Sequence, residues 1–458
     1  MTRVGIIGAG VSGLVAAHAL RRGLGPGAGI EVFDSADRAG GLLHDATVAD
    51  RRTDVGAEAF VLRRPEARDL VAELGLSADL VVPTGARPAV WAGDRLHPLP
   101  APAWMGIPAL PQAVHGLADD ADITRMTVEP TRPLVWTPGG DCSLGELVAD
   151  RFGPSVVARS VDPMIGGVYA ALAADTGVRA ATPALAALLD EGAPSLTAAI
   201  AALLPAPGVP TTPVFGALRG GYRQLIDALV ESAGARLHLS AEVSRLDPAG
   251  RGWEVDGEPF DAVVVAVPAP VAARLLGVAA PDSAEALAGI ATSSSAVVAL
   301  AVDPATPMPE YSGVLAATGG ELARQACANP AKALTLSSRK WPHYDGDASP
   351  IRLRVSFGRL DEPVVATDEE LRAAAAVAMG QVCGTGVSVT VVDSVVARWP
   401  QGLPCYAPGH ESRIATVFAG LPPGLAVAGS AYRGVGVPAC IASARAAAAT
   451  VEGHLAAL

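Results

Sequence analysis

Short apolar runs and glycine-rich turns alternate at both ends of this chain. Arg3 to Ile7 predicts a buried parallel strand, and Leu14 to Arg22 predicts a helix after the turn between them. Ile30 to Phe33 predicts a second strand of the same kind. Near the other end, a short apolar strand after Gly424 runs into another glycine-rich turn, and a helix of small residues begins beside Pro438. The pattern predicts that both ends of the chain surround one ligand.

The middle of the chain has a different pattern. Residues 83–213 are rich in proline and in helical spacing of alanine and leucine. Within them, Ser143 and Glu146 predict a capping box where a helix begins. Residues 235–261 predict a meander of short strands with a turn at residues 247–250. A helical region therefore separates the segments that we assign to the sheet.

Composition narrows the class of protein. The 458 residues are 50% hydrophobic and 17% charged, which is typical of a folded protein of two or three domains. The formal net charge of −12 argues against a nucleic-acid partner. The five cysteines have no metal-site or redox spacing, so we expect a reducing compartment and no metal site.

The sequence gives no sign of export or of membrane insertion. The first residues lack a secretory signal, and the longest uncharged stretch, residues 192–218, contains five prolines. That many helix breakers exclude a membrane-spanning helix there. We expect a cytoplasmic protein with no transmembrane segment, and peripheral contact with a membrane surface stays open.

The first glycine-rich turn fits a dinucleotide-binding motif. Its residues are Gly8, Ala9, Gly10, Val11, Ser12 and Gly13. The first glycine permits a tight turn, the second leaves room for a pyrophosphate, and the third lets the helix pack on the strand. Asp34 follows twenty-one residues after Gly13, at the end of the second strand, where a carboxylate accepts hydrogen bonds from a ribose hydroxyl. These separations predict a bound dinucleotide.

Two further segments extend this motif. They comprise Ser35, Arg38, Gly40 and Gly41, and then Gly56, Ala57, Glu58 and Ala59. Both resemble segments of FAD-dependent amine oxidases, phytoene desaturases and protoporphyrinogen oxidases. By this resemblance the dinucleotide is noncovalently bound FAD, and the glycines let backbone approach the flavin ring.

Later segments narrow the resemblance to one family. They are Val161 to Tyr169, Arg398 to His410, and Tyr432 to Pro438. Over essentially its whole length the chain resembles the bacterial protoporphyrinogen and coproporphyrinogen oxidases of haem synthesis. The resemblance implies six-electron oxidation of a porphyrinogen in three two-electron steps, with dioxygen reoxidising FAD and hydrogen peroxide released. We favour coproporphyrinogen III as the substrate, because the proline-interrupted helical region and the lack of basic membrane-binding clusters resemble the Gram-positive enzymes.

The implied fold is α/β, or α+β overall, with three interleaved parts. The Rossmann-type FAD-binding domain would comprise residues 1–62, 213–270 and 419–458. The mixed-sheet substrate domain would comprise residues 63–82 and 271–418, and the mainly helical domain residues 83–212.

More cofactor contacts follow from the resemblance alone. They are Val243, in the strand that would face the adenine, Trp399 against the flavin, and Gly429, Val435, Gly436 and Val437 in the C-terminal loop. The helix that begins near Val437 would direct its positive end at the flavin.

The propionates of such a substrate require placed cations, because the mean field of this acidic protein repels anions. Arg63 and Arg64 are the first candidates, since arginine binds carboxylates bidentately, and Arg339 and Lys340 are the second. Each of them taken singly is equally compatible with a solvated surface charge. The eight histidines form no triad, so no residue is proposed as a catalytic acid or base.

Three alternatives stay open. The substrate is protoporphyrinogen IX, or the chain is another flavin oxidase of this fold acting on an amine or carotenoid, or it is a weakly active carrier of FAD and porphyrin. The carrier is raised by departures from the family at Ala171, Leu172, Ser430 and Ala439, the last two replacing asparagine and aspartate. The expected partners are a porphyrinogen, dioxygen and a ferrochelatase that receives the product.

Overall fold

The computed structural model describes residues 2–206, 213–344, 350–384 and 386–458. Within them the strands are β1 Arg3–Ile7, β2 Gly29–Phe33, β3 Asp45–Val48, β4 Arg51–Asp54, β5 Phe60–Val61, β6 Leu80–Val81, β7 Ala89–Ala92, β8 Arg95–Pro98, β9 Ala103–Trp104, β10 Ile107–Pro108, β11 Phe215–Leu218, β12 Arg236–His238, β13 Leu246–Ala249, β14 Gly252–Val255, β15 Glu258–Phe260, β16 Ala262–Val265, β17 Thr292–Val302, β18 Gly313–Ala316, β19 Ala331–Thr335, β20 Ile351–Phe357, β21 Val391–Pro404 and β22 Leu425–Val427. The helices are α1 Val11–Leu24, α2 Pro65–Glu73, α3 Asp120–Val128, α4 Leu144–Phe152, α5 Pro154–Val156, α6 Asp162–Tyr169, α7 Val178–Ala181, α8 Pro183–Asp190, α9 Leu196–Leu203, α10 Tyr222–Ala233, α11 Ala269–Leu276, α12 Pro281–Ala288, α13 Ser337–Lys340, α14 Asp368–Cys383, α15 His410–Ala419 and α16 Val437–Ala456.

The two ends of the chain share one parallel sheet. Its strand order is β12-β2-β1-β16-β22, and each adjacent pair is parallel. Helices α1, α10 and α16 contribute Leu14, Leu229 and Ala444 to a buried core on this sheet. Because its central strands are covered on both faces, β1 and β16 are apolar runs without alternation. The predicted α/β unit is confirmed.

A second, mixed sheet has seven strands in the order β21-β17-β20-β19-β18-β7-β8. The pair of β18 and β7 is parallel, and the other adjacent pairs are antiparallel. Leu371, Ala375 and Met379 of α14 pack on one face of this sheet. Strand β19 has a bulge between Ala331 and Ala333. The mixed sheet that the resemblance implied is therefore present.

Helices α3 to α9 surround a separate core that contains Phe152, Ile165 and Leu185. The predicted capping box at the start of α4 is half formed: the Ser143 hydroxyl accepts a hydrogen bond from the Glu146 amide at 3.1 Å. Among the described residues, no reciprocal bond from the Glu146 carboxylate is found. No helix in the described ranges combines the length and the apolar character needed to cross a membrane.

Two local predictions are wrong. The predicted turn at residues 247–250 is mostly strand, because β13 runs to Ala249 and the two-residue loop is Gly250 and Arg251. Pro248 is tolerated in β13 since this edge strand pairs only with β14. Val243 does not lie in a strand but in the irregular segment between β12 and β13.

The proposed domain division stays a prediction. Strands β7 and β8, within residues 83–212, pair with the seven-stranded sheet rather than with the helices. The core of the parallel sheet includes Leu70 of α2, from residues 63–82. The boundary at residue 212 falls outside the described residues.

Candidate flavin and substrate site

The first glycine-rich turn has the shape that a pyrophosphate requires. A Cβ on Gly8, whose φ is +108°, would stand 2.5 Å from the Ala266 carbonyl oxygen, and a Cβ on Gly13 would overlap the carbonyl of Gly8. Gly10 differs, because a Cβ there would meet only the Cα of Gly41, at 4.0 Å. The backbone is therefore close-packed behind the turn and open in front of it, so these residues fit a dinucleotide.

Asp34 fixes the shape of this turn. Its carboxylate accepts hydrogen bonds from the Ala9 amide at 2.6 Å and the Ala36 amide at 2.8 Å. The side chain stays partly exposed at the end of β2. The Gly40 amide donates to the Ala9 carbonyl at 2.8 Å, and Arg38 donates to the Gly41 carbonyl at 2.9 Å. The extension of the motif is thus tied to the turn, whereas Ser35 is exposed beside it.

The loop after β4 is brought against Trp399 of β21. The indole Nε1 donates to the Val55 carbonyl at 3.1 Å. A Cβ on Gly56 would overlap the carbonyl of Leu42 and stand 3.5 Å from the Trp399 ring. Only glycine fits between these two neighbours. The loop after β4 therefore packs directly against both Leu42 and Trp399.

The C-terminal loop is held by Tyr406. The Tyr406 hydroxyl donates to the Ser430 carbonyl at 2.5 Å and accepts from the Gly434 amide at 2.7 Å. His410 stacks on the Tyr406 ring at 3.9 Å, and its Nε2 lies 3.2 Å from the Tyr432 carbonyl oxygen. Tyr406 and His410, which the sequence analysis used only to identify the family, therefore position the loop.

The two ends of the chain meet at this loop. Helix α16 begins at Val437, as predicted, directly after Val435 and Gly436. The Ser12 hydroxyl, in the glycine-rich turn after β1, lies against the Cys440 thiol near the start of α16. Gly429, with φ of +137°, starts the loop, and its amide donates to the Ser443 hydroxyl at 3.2 Å. The amino terminus of a helix such as α16 presents unpaired N–H groups and positive potential.

Two other predicted cofactor residues pack in separate hydrophobic clusters. Val243 is buried in the core that contains Ile7 and Trp253. Ala59 packs against Ala217 and Trp341 instead of the C-terminal loop. Their contact with a cofactor stays a prediction.

Glu58 and Lys340 form a partly buried ion pair, with side chains 9% and 20% exposed. The Glu58 carboxylate accepts from Lys340 Nζ at 2.9 Å and from the Ser337 hydroxyl at 2.6 Å, with Arg354 at 3.9 Å. Burial raises the pKa of Glu58, but the charges of Lys340 and Arg354 and these hydrogen bonds outweigh burial and hold it at about 2. Lys340 is thus neutralised by the loop after β4, and the adjacent Arg339 is exposed.

Arg64 lies beside the C-terminal loop. A Cβ on Gly434 would stand 3.9 Å from its guanidinium and 2.7 Å from the Ala439 methyl group. Arg64 also pairs with Glu66 at 2.6 Å, and its neighbour Arg63 is exposed. Of the four predicted substrate cations, Arg64 is the one that the structure brings to this loop.

Sequence reasoning missed Lys332, at the bulge of β19. Its ammonium donates to the Gly358 carbonyl, and burial lowers its pKa to about 7, with Arg359 acting in the same direction. Within the described ranges, no carboxylate lies within ion-pair distance of Lys332. One signal was available: Lys332 and Lys340 are the only lysines among 34 basic residues.

A cavity of about 430 Å³ lies between β4, the start of α10 and residues Trp341–Tyr344. Its lining includes Arg51, Arg219 and Asp54. The Asp54 carboxylate accepts from the Tyr222 amide at 3.1 Å, and burial raises its pKa to about 7. The cavity shares only Glu58 with the predicted cofactor residues.

Comparison with known proteins agrees with this geometry. The family described as flavin containing amine oxidoreductase matches residues 11–452. A coproporphyrinogen III oxidase of Mycobacterium tuberculosis (strain H37Rv) is 48% identical over 447 residues, covering 96% of this chain and 95% of that protein. A coproporphyrinogen III oxidase of Propionibacterium freudenreichii is 32% identical, covering 96% of this chain and 89% of that protein.

A solved structure has the same fold. It is a candidate protoporphyrinogen oxidase from Exiguobacterium sp. 255-15, with a TM-score of 0.84 and 26% identity over 98% of both chains. The family predicted from the motifs is confirmed, and the enzyme is a flavin-dependent oxidoreductase. The chain therefore belongs to the flavin containing amine oxidoreductase family, in the group that includes the mycobacterial coproporphyrinogen III oxidases.

Proposed function

We propose that the enzyme oxidises coproporphyrinogen III to coproporphyrin III with noncovalent FAD. The observation that carries this proposal is the 48% identity to a coproporphyrinogen III oxidase over 96% of the chain. The more distant relative at 32% identity has the same name, which favours coproporphyrinogen III over protoporphyrinogen IX. Six electrons would leave each porphyrinogen in three two-electron steps, with dioxygen as acceptor and hydrogen peroxide as product.

A bound flavin would supply the two-electron chemistry, and the protein would supply its binding and electrostatics. Gly8, Gly10 and Gly13 suit the pyrophosphate, because only backbone approaches it there. Gly56 and Trp399 suit one side of the ring system. The amino terminus of α16 would stabilise negative charge on a reduced flavin by about 0.3–1 kcal/mol.

Two of the four departures from the family, at Ser430 and Ala439, are compatible with an intact site. Tyr406 holds Ser430 through its backbone carbonyl, so the identity of that side chain does not affect the bond. A small residue at position 439 suits the close approach of Gly434. We therefore propose an active enzyme rather than a porphyrin carrier.

The setting of the reaction belongs to the same proposal. We place the enzyme in the cytoplasm, with peripheral membrane contact left open, and with transfer of the porphyrin to a ferrochelatase. These statements rest on the resemblance in sequence, and they stay predictions.

The test uses both porphyrinogens, prepared without oxygen and mixed with the flavin-loaded enzyme in air. Porphyrin fluorescence and peroxide are followed together, with polyamines as the comparison substrates. We expect faster turnover of coproporphyrinogen III, and no peroxide from polyamines. Faster turnover of protoporphyrinogen IX would reverse the substrate, and peroxide from polyamines alone would replace the proposal with an amine oxidase.

A further inference from the structure

The two lysines of the chain have opposite surroundings. Lys340 pairs with the buried carboxylate of Glu58 at 2.9 Å. Lys332, eight residues earlier, has a backbone carbonyl as its hydrogen-bond partner, that of Gly358. A buried charge is costly unless it is paired. Among the described residues, Lys332 therefore has no carboxylate partner to compensate its charge.

Lys332 lies where the mixed sheet meets the helical region. Its neighbour Ala333 pairs with Leu315 of β18, and a Cβ on Gly167 of α6 would touch Leu315 at 3.4 Å. Arg359 follows Gly358 in the chain, and a Cβ on Gly166 of α6 would stand 3.8 Å from the Arg359 Nε. The ammonium is thus at the boundary between β19 and α6. Lys332 as a whole is partly exposed to solvent there. Its ammonium group is buried, which lowers the pKa of the side chain.

This boundary continues to the C-terminal loop. Helix α6 ends at Tyr169, whose ring lies 5.8 Å from that of Tyr406. Tyr406 in turn holds Ser430 and Gly434 of the loop. Lys332 is therefore connected to the C-terminal loop through α6 and Tyr406.

Several charged groups surround Lys332, but they pair with one another rather than with its ammonium. Arg359 pairs with Glu321 at 3.1 Å, and Glu321 also pairs with Arg324 at 2.8 Å. Glu362 is the acid whose charge acts on Lys332, and Arg359 opposes it. Asp162 of α6 also acts on Arg359, so two arginines and one lysine face three carboxyl groups. In the described part of the chain, none of the three lies within ion-pair distance of Lys332.

We propose that the Lys332 ammonium binds a propionate carboxylate of the substrate at the boundary between β19 and α6. The naming of the substrate rests on the proposed function, whereas the need for an anion rests on this geometry. Coproporphyrinogen III carries four propionates and protoporphyrinogen IX two, so an additional carboxylate contact favours the former. Lys332 is then a specificity-determining residue.

The test measures the dissociation constant of coproporphyrin III by fluorescence titration of the flavin-loaded protein. Lys332→Met should weaken binding about tenfold or more, since it removes a charge-assisted hydrogen bond, and Lys332→Arg should recover most of the loss. Arg372→Met is the matched control, because Arg372 is exposed on α14, which covers the opposite face of the sheet. Flavin content should stay at the wild-type value in all variants. The thermal midpoint should also stay there or, for Lys332→Met, rise.

Binding as tight in Lys332→Met as in the wild type would overturn the inference. A fall in thermal midpoint with unchanged binding would assign Lys332 a structural role instead, through the Gly358 carbonyl.

Amine acylation gives a second measurement on the unaltered chain, which matters if a variant does not fold. Acetic anhydride at neutral pH labels lysines and the amino terminus, and peptide mass spectrometry separates Lys332 from Lys340. We expect coproporphyrin III to slow acylation of Lys332 at least tenfold and that of Lys340 little. Equal rates at Lys332 with and without saturating porphyrin, or no acylation of Lys332 in the free protein, would contradict an accessible binding amine.

The outcomes also separate this inference from the proposed function. A wild-type protein that oxidises coproporphyrinogen III while Lys332→Met keeps its KM refutes only the role of Lys332. A wild-type protein that binds coproporphyrin III through Lys332 without oxidising the porphyrinogen refutes only the proposed function. Failure to bind or oxidise either tetrapyrrole refutes both.

Discussion

The proposed flavin side and the proposed substrate side of this site are built in different ways. The flavin side is backbone: Gly8, Gly13 and Gly56 stand where any side chain would collide with a neighbouring carbonyl. The substrate side is charged side chains, and several of its cations are already paired, such as Arg64 with Glu66. A backbone constraint appears in the sequence as glycines at a fixed spacing. An ion pair has no such sequence pattern.

The pair of Glu58 and Lys340 illustrates the difference. The two residues are 282 positions apart, so no local pattern relates them. The sequence assigned Glu58 to the cofactor and Lys340 to the substrate, and the structure joins them to each other. Isolated basic residues in a sequence therefore identify candidates for anion binding, but only their partners decide which of them is available.

The largest expected effect breaks the flavin side at one glycine. Gly13→Ala should abolish flavin binding, because the added methyl group overlaps the Gly8 carbonyl in the turn. Gly453→Ala is the matched control in another helix, where an added Cβ has no neighbour within 4 Å. It should instead gain up to about 1 kcal/mol from helix propensity. Flavin absorbance per protein and thermal midpoints measure both, and a flavin-loaded Gly13→Ala enzyme would disprove the backbone account.

Tyr406→Phe tests the attachment of the C-terminal loop. Loss of the hydroxyl leaves the Gly434 amide and the Ser430 carbonyl without their partner, at a cost of about 1–3 kcal/mol. We expect the flavin dissociation constant, measured by equilibrium dialysis, to rise about tenfold. Tyr311→Phe is the control, since no hydrogen bond of the Tyr311 hydroxyl is found in the described part of the chain. An unchanged constant would mean that the loop is held by packing alone.

The pH dependence of KM sharpens the substrate side. Because the pKa of Lys332 is lowered to about 7, its charge is present below that pH and lost as pH rises through it. The other ionisable groups around it are Arg359, Glu321 and Glu362 and, on α6, Asp162. KM for coproporphyrinogen III should therefore rise several-fold over this range in the wild type. Lys332→Arg should remove this rise; a rise of equal size in that variant would assign the titration elsewhere, with Asp54 as the next group to examine.

The smallest expected effect concerns Arg64. Because it is about half exposed and paired with Glu66, Arg64→Ala should raise KM only about two- to threefold, with flavin content unchanged. Glu66→Gln frees the guanidinium and should lower KM. Steady-state kinetics give the KM of both variants. If KM changes in the same direction in both, Arg64 does not belong to the substrate site.

These contrasts explain how much the sequence could predict. The strand, turn and helix around Gly8 to Gly13 follow from local spacing, and so does the start of α16 at Val437. The strand β13 was mistaken for a turn at Pro248, because its position at a sheet edge is a tertiary property. The role of Tyr406 and the isolation of Lys332 depend on partners far away in sequence, so neither could be derived from local pattern.

The most direct test of the central claim, a flavin enzyme that oxidises porphyrinogens, is anaerobic mixing of the flavin-loaded protein with excess coproporphyrinogen III. We expect the absorbance of the oxidised flavin to disappear after mixing and to return only when air is admitted. Coproporphyrin fluorescence should then increase as turnover proceeds. Flavin that stays oxidised with both coproporphyrinogen III and protoporphyrinogen IX, in a protein that binds them, would contradict it.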